Sequence, residues 1–521
     1  MKFKKINPYI LISPAAAAIT MTFSGCLPLP PLTSTPKLAL YYQQSQYLPE
    51  NDSTWIKRWL PETGETDVVL EQQTNNNYDG NVLDLIQPHG SNYFLTHSGN
   101  PGYVYVAVPD SEDRTPRQLY ATGSSFGAVA GGLWFGWAPD GKHIGMQVHR
   151  SVIVAAPDGS DQKTIGKADG VKDPWIVRLA WSPDATALAY IRGDNILEIT
   201  DIATGVKTDH SVPSGSQITM YDTPRWMADN RHVMQTVAIG NEVHYFIFDR
   251  QNPASAVETL ADLGCCVGFE NWSPLGDRLV RNYFAFDNTL IDYRLVFTDN
   301  RPSVPLFTVS PADGPTQFGL MPSWSHDGEK FSYVKDSDNN GDAEVIIANN
   351  DGAILQTFPG FGVVETATLG WAPDDSKLLV VTNVAATQGQ SIHGKLITFS
   401  NGSINALFEA AANPDGELAG VDWSPNSRYA VYSRKTSPYY VNSPAADRGL
   451  LFDTENLDVA ATTLTTDFVV WSPDSKYLGL GTQLELATNC SIAVMTLTDG
   501  NRNITPLSPD AACSIQWSNP D

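Results

Sequence analysis

The sequence predicts an all-β chain folded as a single β-propeller of four-stranded antiparallel blades. Eight blades are expected, within a range of seven to nine, with the ring closed by the C-terminal strand. Three observations predict this. A turn word led by tryptophan recurs nine times. Its copies are 44 to 52 residues apart, a period that marks propellers and arrays. The stretches between copies are short and β-rich, with no sustained helical periodicity.

The word begins at Trp137-Ala138-Pro139-Asp140-Gly141 and recurs at Trp181-Ser182-Pro183-Asp184. It continues at Trp226, Trp272, Trp324, Trp371, Trp423 and Trp471, and ends at Trp517-Ser518-Asn519. Its chemistry is that of a type I turn. Serine hydrogen-bonds the backbone two residues on, proline presets φ, and Asp and Gly suit the positions that follow. A β-rich stretch follows each turn, as in Lys377-Leu378-Leu379-Val380-Val381. A second apolar stretch, such as Val345-Ile346-Ile347-Ala348, runs into a tight Asp-Gly or Asn-Gly turn. A weaker fourth strand leads to the next tryptophan. The tryptophan ends the innermost strand, where its ring fills the wedge between neighbouring blades, so all nine are expected as repeat core. Ile86-Gln87-Pro88-His89-Gly90 reads as a decayed first copy.

Taken together, these words resemble the repeats of TolB-type propellers, relatives of WD40, from about Asn81 to the C-terminus. TolB also carries an α/β domain before its propeller. Residues 37–80 are too few for one, so the family's partnership with Pal does not carry over.

The N-terminus has the layout of an export signal. A basic start, Met1-Lys2-Phe3-Lys4-Lys5, precedes a short apolar run that ends at Phe23-Ser24-Gly25-Cys26. The last residues resemble the lipobox of bacterial lipoproteins, with Phe23 where Leu is usual. That resemblance implies cleavage before Cys26 and acylation of its thiol. Leu27-Pro28-Leu29-Pro30-Pro31 then reads as a stiff spacer. The expected division is a signal peptide at 1–25, a lipidated tether at 26–37, a partly ordered segment at 38–80 and the propeller at 81–521.

Composition narrows the function. Charged residues are 17% of the chain and the formal net charge is −24. An acidic surface without a basic stripe repels phosphate, which argues against nucleic acid. Four cysteines remain after Cys26. A Cys490–Cys513 bridge would clasp the ring closure if the Cα atoms lie within about 7 Å. Cys265 and Cys266 either form a vicinal disulfide or stay reduced. Asp336, Asp338, Asn340, Asp342 and Glu344, with Gly341 at the sixth position, match the opening of a calcium loop. The acid expected at position twelve is replaced by Ile347. The alternative there is a polar hairpin. Gly123-Ser124-Ser125-Phe126-Gly127 has the spacing of a nucleophile elbow but lacks the strand-to-helix context. His143, His149, His244 and His326 are the scattered histidines from which a channel metal site would have to be assembled.

The expected function is a lipid-anchored scaffold of the bacterial cell envelope that binds a protein or glycan on its loops. Tyr439 and Tyr440, in the long loop from Thr436 to Leu450, are candidate contacts. The competing expectation is a metal-dependent polysaccharide lyase or hydrolase.

Overall fold

The computed structural model describes residues 38–518 apart from 47–51, 75–81, 87–93, 99–102, 108–116, 122–133, 149–150, 168–176, 193–194, 213–214, 219–222, 241, 260–266, 285–290, 300, 310–318, 321, 336–341, 387–388, 412–415, 437–448, 458–461, 465–467, 484–488 and 499–500. Every regular element among the described residues is a β-strand. The strands form eight sheets of four or five strands and one of seven. Apart from one short parallel pair, neighbouring strands run antiparallel in chain order, and the fold is a β-propeller.

The seven-stranded sheet is two blades sharing one strand. The strand Asn501–Trp517 pairs first with Asn489–Thr498 and then, through its last residues, with Leu40–Gln46. Among the described residues, eight sheets plus these two blades make ten blades, two of which carry an extra short strand. They are numbered in chain order from the one that holds Leu40–Gln46. This is two more than the eight expected, and the excess has a simple cause. Blade 1 takes Leu40–Gln46, Asp52–Leu60 and Glu65–Thr74 from the segment that the sequence set apart at 38–80. Its fourth strand arrives from the other end of the chain. Blade 2, from Val82–Ile86 to Arg117–Ala121, carries the decayed word. The tryptophan word therefore marks blades 3 to 10 and, through Trp517, blade 1.

The two chain ends are tied tightly. Leu40 lies opposite Trp517. The Ala39 N–H donates to Ser518 Oγ at 2.7 Å, and the Ser518 N–H returns to the Ala39 carbonyl at 2.9 Å. Trp59 packs edge-on against both Tyr477 and Trp517, at 5.7 and 6.2 Å between ring centroids.

Among the described residues, nine of the ten pairs of neighbouring blades share an apolar cluster of their own. Val152 and Val154 of blade 3 meet Leu179, Leu188 and Tyr190 of blade 4. Val280 and Tyr293 of blade 6 meet Trp324 and Phe331 of blade 7. Leu40 and Tyr42 of blade 1 meet Ile492 and Val494 of blade 10. The tryptophans sit inside these clusters. Burying one such ring contributes a few kcal/mol, about 3 or more.

The indole also makes a directed bond. Trp226 Nε1 donates to the Ala180 carbonyl at 2.9 Å, Trp324 to Asn271 at 3.0 Å, and Trp371 to Ser323 at 3.0 Å. Trp423 donates to Gly370 at 2.9 Å and Trp517 to Val470 at 3.0 Å. In every case the acceptor is the residue just before the preceding blade's tryptophan. Gly370 leaves no room for a side chain. A Cβ there would lie 2.6 Å from the Val421 Cβ of the next blade.

The turns form a second belt. The Ser182 hydroxyl donates to Asp184 at 2.6 Å and accepts the Ala187 N–H at 2.9 Å. Ser325, Ser424 and Ser472 repeat both contacts. Four residues after the tryptophan in each of blades 3 to 10 the backbone takes positive φ. Gly141, Gly276 and Gly328 do so freely, but Ala185, Asn230, Asp375, Ser427 and Ser475 also do so. Four of those five side chains repay the strain across the blade boundary. Asn230 accepts the Asp184 N–H at 2.9 Å, Ser427 the Asp374 N–H at 3.1 Å, and Ser475 the Asn426 N–H at 3.0 Å. Asp375 accepts two, from His326 at 2.8 Å and Asp327 at 3.0 Å.

Two predictions follow from this belt. In Asp375→Gly the backbone strain goes with the carboxylate, whereas in Asp375→Ala only the bonds are lost. Denaturant midpoints should therefore rank wild type above Asp375→Gly above Asp375→Ala, with the two variants about 1 kcal/mol apart. Equal midpoints for the two variants would contradict the strain account.

The second concerns acid. Partial burial works against the charges of Asp184, Asp327 and Asp374, but hydrogen bonds from their own turns outweigh it and hold all three carboxyls below the usual range. Asp249 is held down to about 2, chiefly by its hydrogen bonds from Arg231. Depressed carboxyls stabilise the fold above their unfolded value, and that contribution fades as pH falls through the folded value. Melting temperature should thus fall between about pH 4 and pH 2. Asp249→Asn should show a shallower fall over the same interval.

Candidate functional site

The residues singled out by sequence fall into three groups. Cys26, Cys265, Cys266, Asp336, Asp338, Asn340, His149, Tyr439, Tyr440 and the 123–127 stretch lie outside the described residues. Cys490 and Cys513 fall on strands of blade 10 and the closing strand. The register sets Cys490 opposite Ala511, two residues short of Cys513. The rest are described in full. Both carboxylate oxygens of Asp342 accept backbone N–H groups, from Gly362 at 2.7 Å and Gly360 at 3.1 Å. Asp342 thereby pins the turn after the blade 7 outer strand, Ile354–Phe358. Glu344 stands opposite Lys335. His143 stacks on Trp181 at 6.2 Å, and His326 Nδ1 lies 3.1 Å from Asp375. His244 belongs to blade 5. Among the described residues, no three His, Cys, Asp or Glu side chains converge on a point that would hold a metal.

A site that sequence reading missed lies between blades 3 and 4. It is an open cleft of about 610 Å3. One wall is Thr164, Ile165 and Gly166, from the outermost strand of blade 3, Lys163–Lys167. The other is Arg192, Glu198, Lys207 and Asp209 of blade 4. Blade 4 runs Val177–Trp181, Ala187–Arg192, Ile196–Asp201 and Lys207–Ser211. Its register places Tyr190, Glu198 and Asp209 in one row across three strands. Residues opposite one another share a sheet face, and this row faces blade 3.

Glu198 is the base of the cleft, with its side chain only 1% exposed. Arg192 and Lys207 each approach it at 2.8 Å, and the Tyr190 hydroxyl donates to it as well. A buried carboxylate without such partners would cost several kcal/mol. Burial and the hydrogen bond to Glu198 push the Tyr190 hydroxyl well above the usual tyrosine range, so it stays a donor. Above this base the cleft presents free chemistry. Arg192 reaches Asp209 at 3.2 Å, and Lys207 and Asp209 are 43% and 47% exposed. Two cations face two carboxylates, so the cleft is neutral in a chain of net charge −24.

A signal for this site was present. In blades 7 and 9 the pair matching Tyr190–Glu198 is Tyr333–Ile346 and Tyr432–Leu450. Blades 6 and 8 carry Arg294 and Lys395 at this register and the other blades from 3 to 10 an apolar residue, so Glu198 is its one acid. Reading blade by blade for motifs hides that; superposing the blades on their tryptophans exposes it.

No protein-family profile matches the chain, and no curated protein matches it. Several solved structures resemble it in part. A structure of the eukaryotic initiation factor is 14% identical and covers 82% of this chain and 98% of its own, with a TM-score of 0.45. A TolB structure from Agrobacterium tumefaciens is 17% identical over 53% of this chain and 91% of its own, with a TM-score of 0.26. The Swd1 β-propeller domain from Myceliophteria thermophila is 13% identical over 65% and 98%, with a TM-score of 0.29. Each superposition is partial, and the fold is read from the chain's own strands.

Gly166 keeps the cleft in shape. A Cβ at that position would strike the Tyr190 hydroxyl and lie 2.6 Å from its Cζ. Gly166→Ala should therefore lower stability by roughly 1–3 kcal/mol. Adding Tyr190→Phe removes the nearest atom and should restore part of the loss, measured as non-additivity in a double-mutant cycle. Strict additivity would mean that the two residues do not meet.

Proposed function

We propose that this chain is a cell-envelope lipoprotein, held to the membrane through acylated Cys26. On this reading its propeller is a rigid scaffold that binds a protein or glycan partner in the cleft between blades 3 and 4. The supporting observation is the pairing of a fixed base with uncommitted groups above it. Glu198 is buried and saturated by Arg192, Lys207 and Tyr190. Lys207 has three donor hydrogens and needs one for Glu198, and Asp209 carries more acceptor sites than Arg192 fills. These groups sit on strands, so ordering them on binding costs little entropy.

The turn face is a weaker candidate for recognition. Its serines, aspartates and backbone N–H groups are engaged in the belt that joins neighbouring blades.

The test uses the acylated protein in intact envelopes, by crosslinking and by a glycan panel. A Lys207→Gln, Asp209→Asn double variant leaves the Arg192–Glu198 pair in place. It should stay folded at the assay temperature, melting somewhat lower for the lost Lys207 contact to Glu198, and lose about tenfold or more in capture of whatever partner the wild type binds. In parallel, Cys26→Ser should move the protein from the membrane to the soluble fraction. Undiminished capture by the double variant would remove the cleft from the proposal, and an unaltered membrane fraction in Cys26→Ser would remove the anchor.

A further inference from the structure

Blade 6 breaks the apolar rule of the faces between blades. The ninth residue after each tryptophan word packs toward the preceding blade. In chain order it is Met146, Tyr190, Gln235, Arg281, Tyr333, Val380, Tyr432 and Leu480. Six of these eight are apolar or aromatic. Arg281 is the one cation, and its side chain is 4% exposed.

Blade 6 is built from Val267–Trp272, Arg278–Phe284, Ile291–Phe297 and Val304–Val309. Directly opposite Arg281 on the neighbouring strand stands Arg294. Like charges opposite one another in a sheet destabilise it unless something of opposite sign intervenes. Arg225 of blade 5 joins them, its guanidinium 5.1 Å from the centre of the Trp272 ring. Two carboxylates serve these three arginines: Glu270 is shared with Tyr245, and Asp292 is bound through one oxygen, its Oδ1 having no hydrogen-bond partner among the described residues. Glu270 lies 3.4 Å from Arg281 Nη2 and also accepts from the Tyr245 hydroxyl. Asp292 is taken by Arg294 Nε at 2.5 Å. The Nε and Nη1 donors of Arg281 have no hydrogen-bond partner among the described residues. Tyr245 and Tyr283 flank the guanidinium, at 5.5 and 5.6 Å to their ring centres.

The local charge is thus positive by one in a chain of net charge −24. A buried arginine with unmet donors normally meets a fully paired carboxylate, because the unpaired arrangement is costly. The arginine fork matches the oxygens of a carboxylate or phosphate group, two donors to two acceptors. We propose that the interface between blades 5 and 6 binds a small oxyanion, a carboxylate or phosphate group, on the unmet donors of Arg281, with Arg225 and Arg294 beside it. This site is separate from the cleft between blades 3 and 4, and neither depends on the other.

The probes are inorganic phosphate and acetate, each titrated into the full-length protein against sodium chloride of equal ionic strength. Binding is read by calorimetry and by melting temperature. At least one of the two should give a saturable rise in melting temperature that chloride does not. Which of them does so separates a phosphate site from a carboxylate site. Arg281→Met puts in place the residue that blade 3 uses at this position. It should fold, melt at or above the anion-free wild type, and lose about tenfold or more in affinity for the anion. Arg225→Gln combined with Arg294→Gln leaves the buried arginine untouched and should weaken binding several-fold. It serves as the arbiter if Arg281→Met does not fold. A wild type indifferent to both anions, a response unchanged in Arg281→Met, or an unchanged affinity in the Arg225/Arg294 variant would each overturn the proposal.

Discussion

The structure depends on how one blade seats against the next. A four-stranded sheet of this size cannot bury both faces alone, and an isolated sheet leaves its edges unpaired. The indole solves both parts at once. Its ring fills the apolar wedge, and its N–H takes up a carbonyl on the neighbour's inner strand. The bond recurs at Trp226, Trp324, Trp371, Trp423 and Trp517 with nearly the same length. Where it is missing, the ring still wedges. Trp181 and Trp471 keep buried N–H groups without partners among the described residues, and both remain packed in their clusters. Shape filling is therefore the primary requirement, and the hydrogen bond sets the register of one blade on the next.

How much of this was legible follows from what local sequence can encode. The word Trp-Ser-Pro-Asp encodes a turn and a wedge within a few residues, so blades 3 to 10 could be read directly. Blade 1 could not. Its three strands between Leu40 and Thr74 carry no word, because their inner strand and its tryptophan lie at the far end of the chain. Only the pairing of Leu40 with Trp517 reveals them. Blade 2 was half legible, since Ile86-Gln87-Pro88 keeps the proline of the word but has lost the indole. Expecting a ring of common size then favoured the smaller count.

The acidic residues show the opposite limit. Asp342, one of the acids in the calcium-loop pattern, accepts the backbone N–H groups of Gly360 and Gly362. Asp184, Asp327 and Asp374 likewise serve their own turns and the backbone beside them. In a repeat protein an aspartate that recurs in register has a recurring cause, and here the cause is turn geometry. Recurrence thus argues against a ligand role, and departure from recurrence argues for one.

By that criterion blades 4 and 6 stand apart. Blade 4 holds the one acid of its register at Glu198 and blade 6 the one cation of its register at Arg281, and each charge is nearly fully buried. The two are resolved differently. Glu198 is saturated by two cations and a tyrosine, which leaves a finished base beneath an open, neutral cleft. Arg281 is left with unmet donors beside a second arginine, which leaves a cluster that is incomplete within the chain. Tyr245 of blade 5 meets the blade 6 cluster through Glu270 and Arg281, but elsewhere in the same ring apolar pairs seat one blade on the next. A fold that can spend its inter-blade faces on apolar contact, and does so in most of its blades, has no structural need for either charge. Their presence is best accounted for by something that the chain meets from outside.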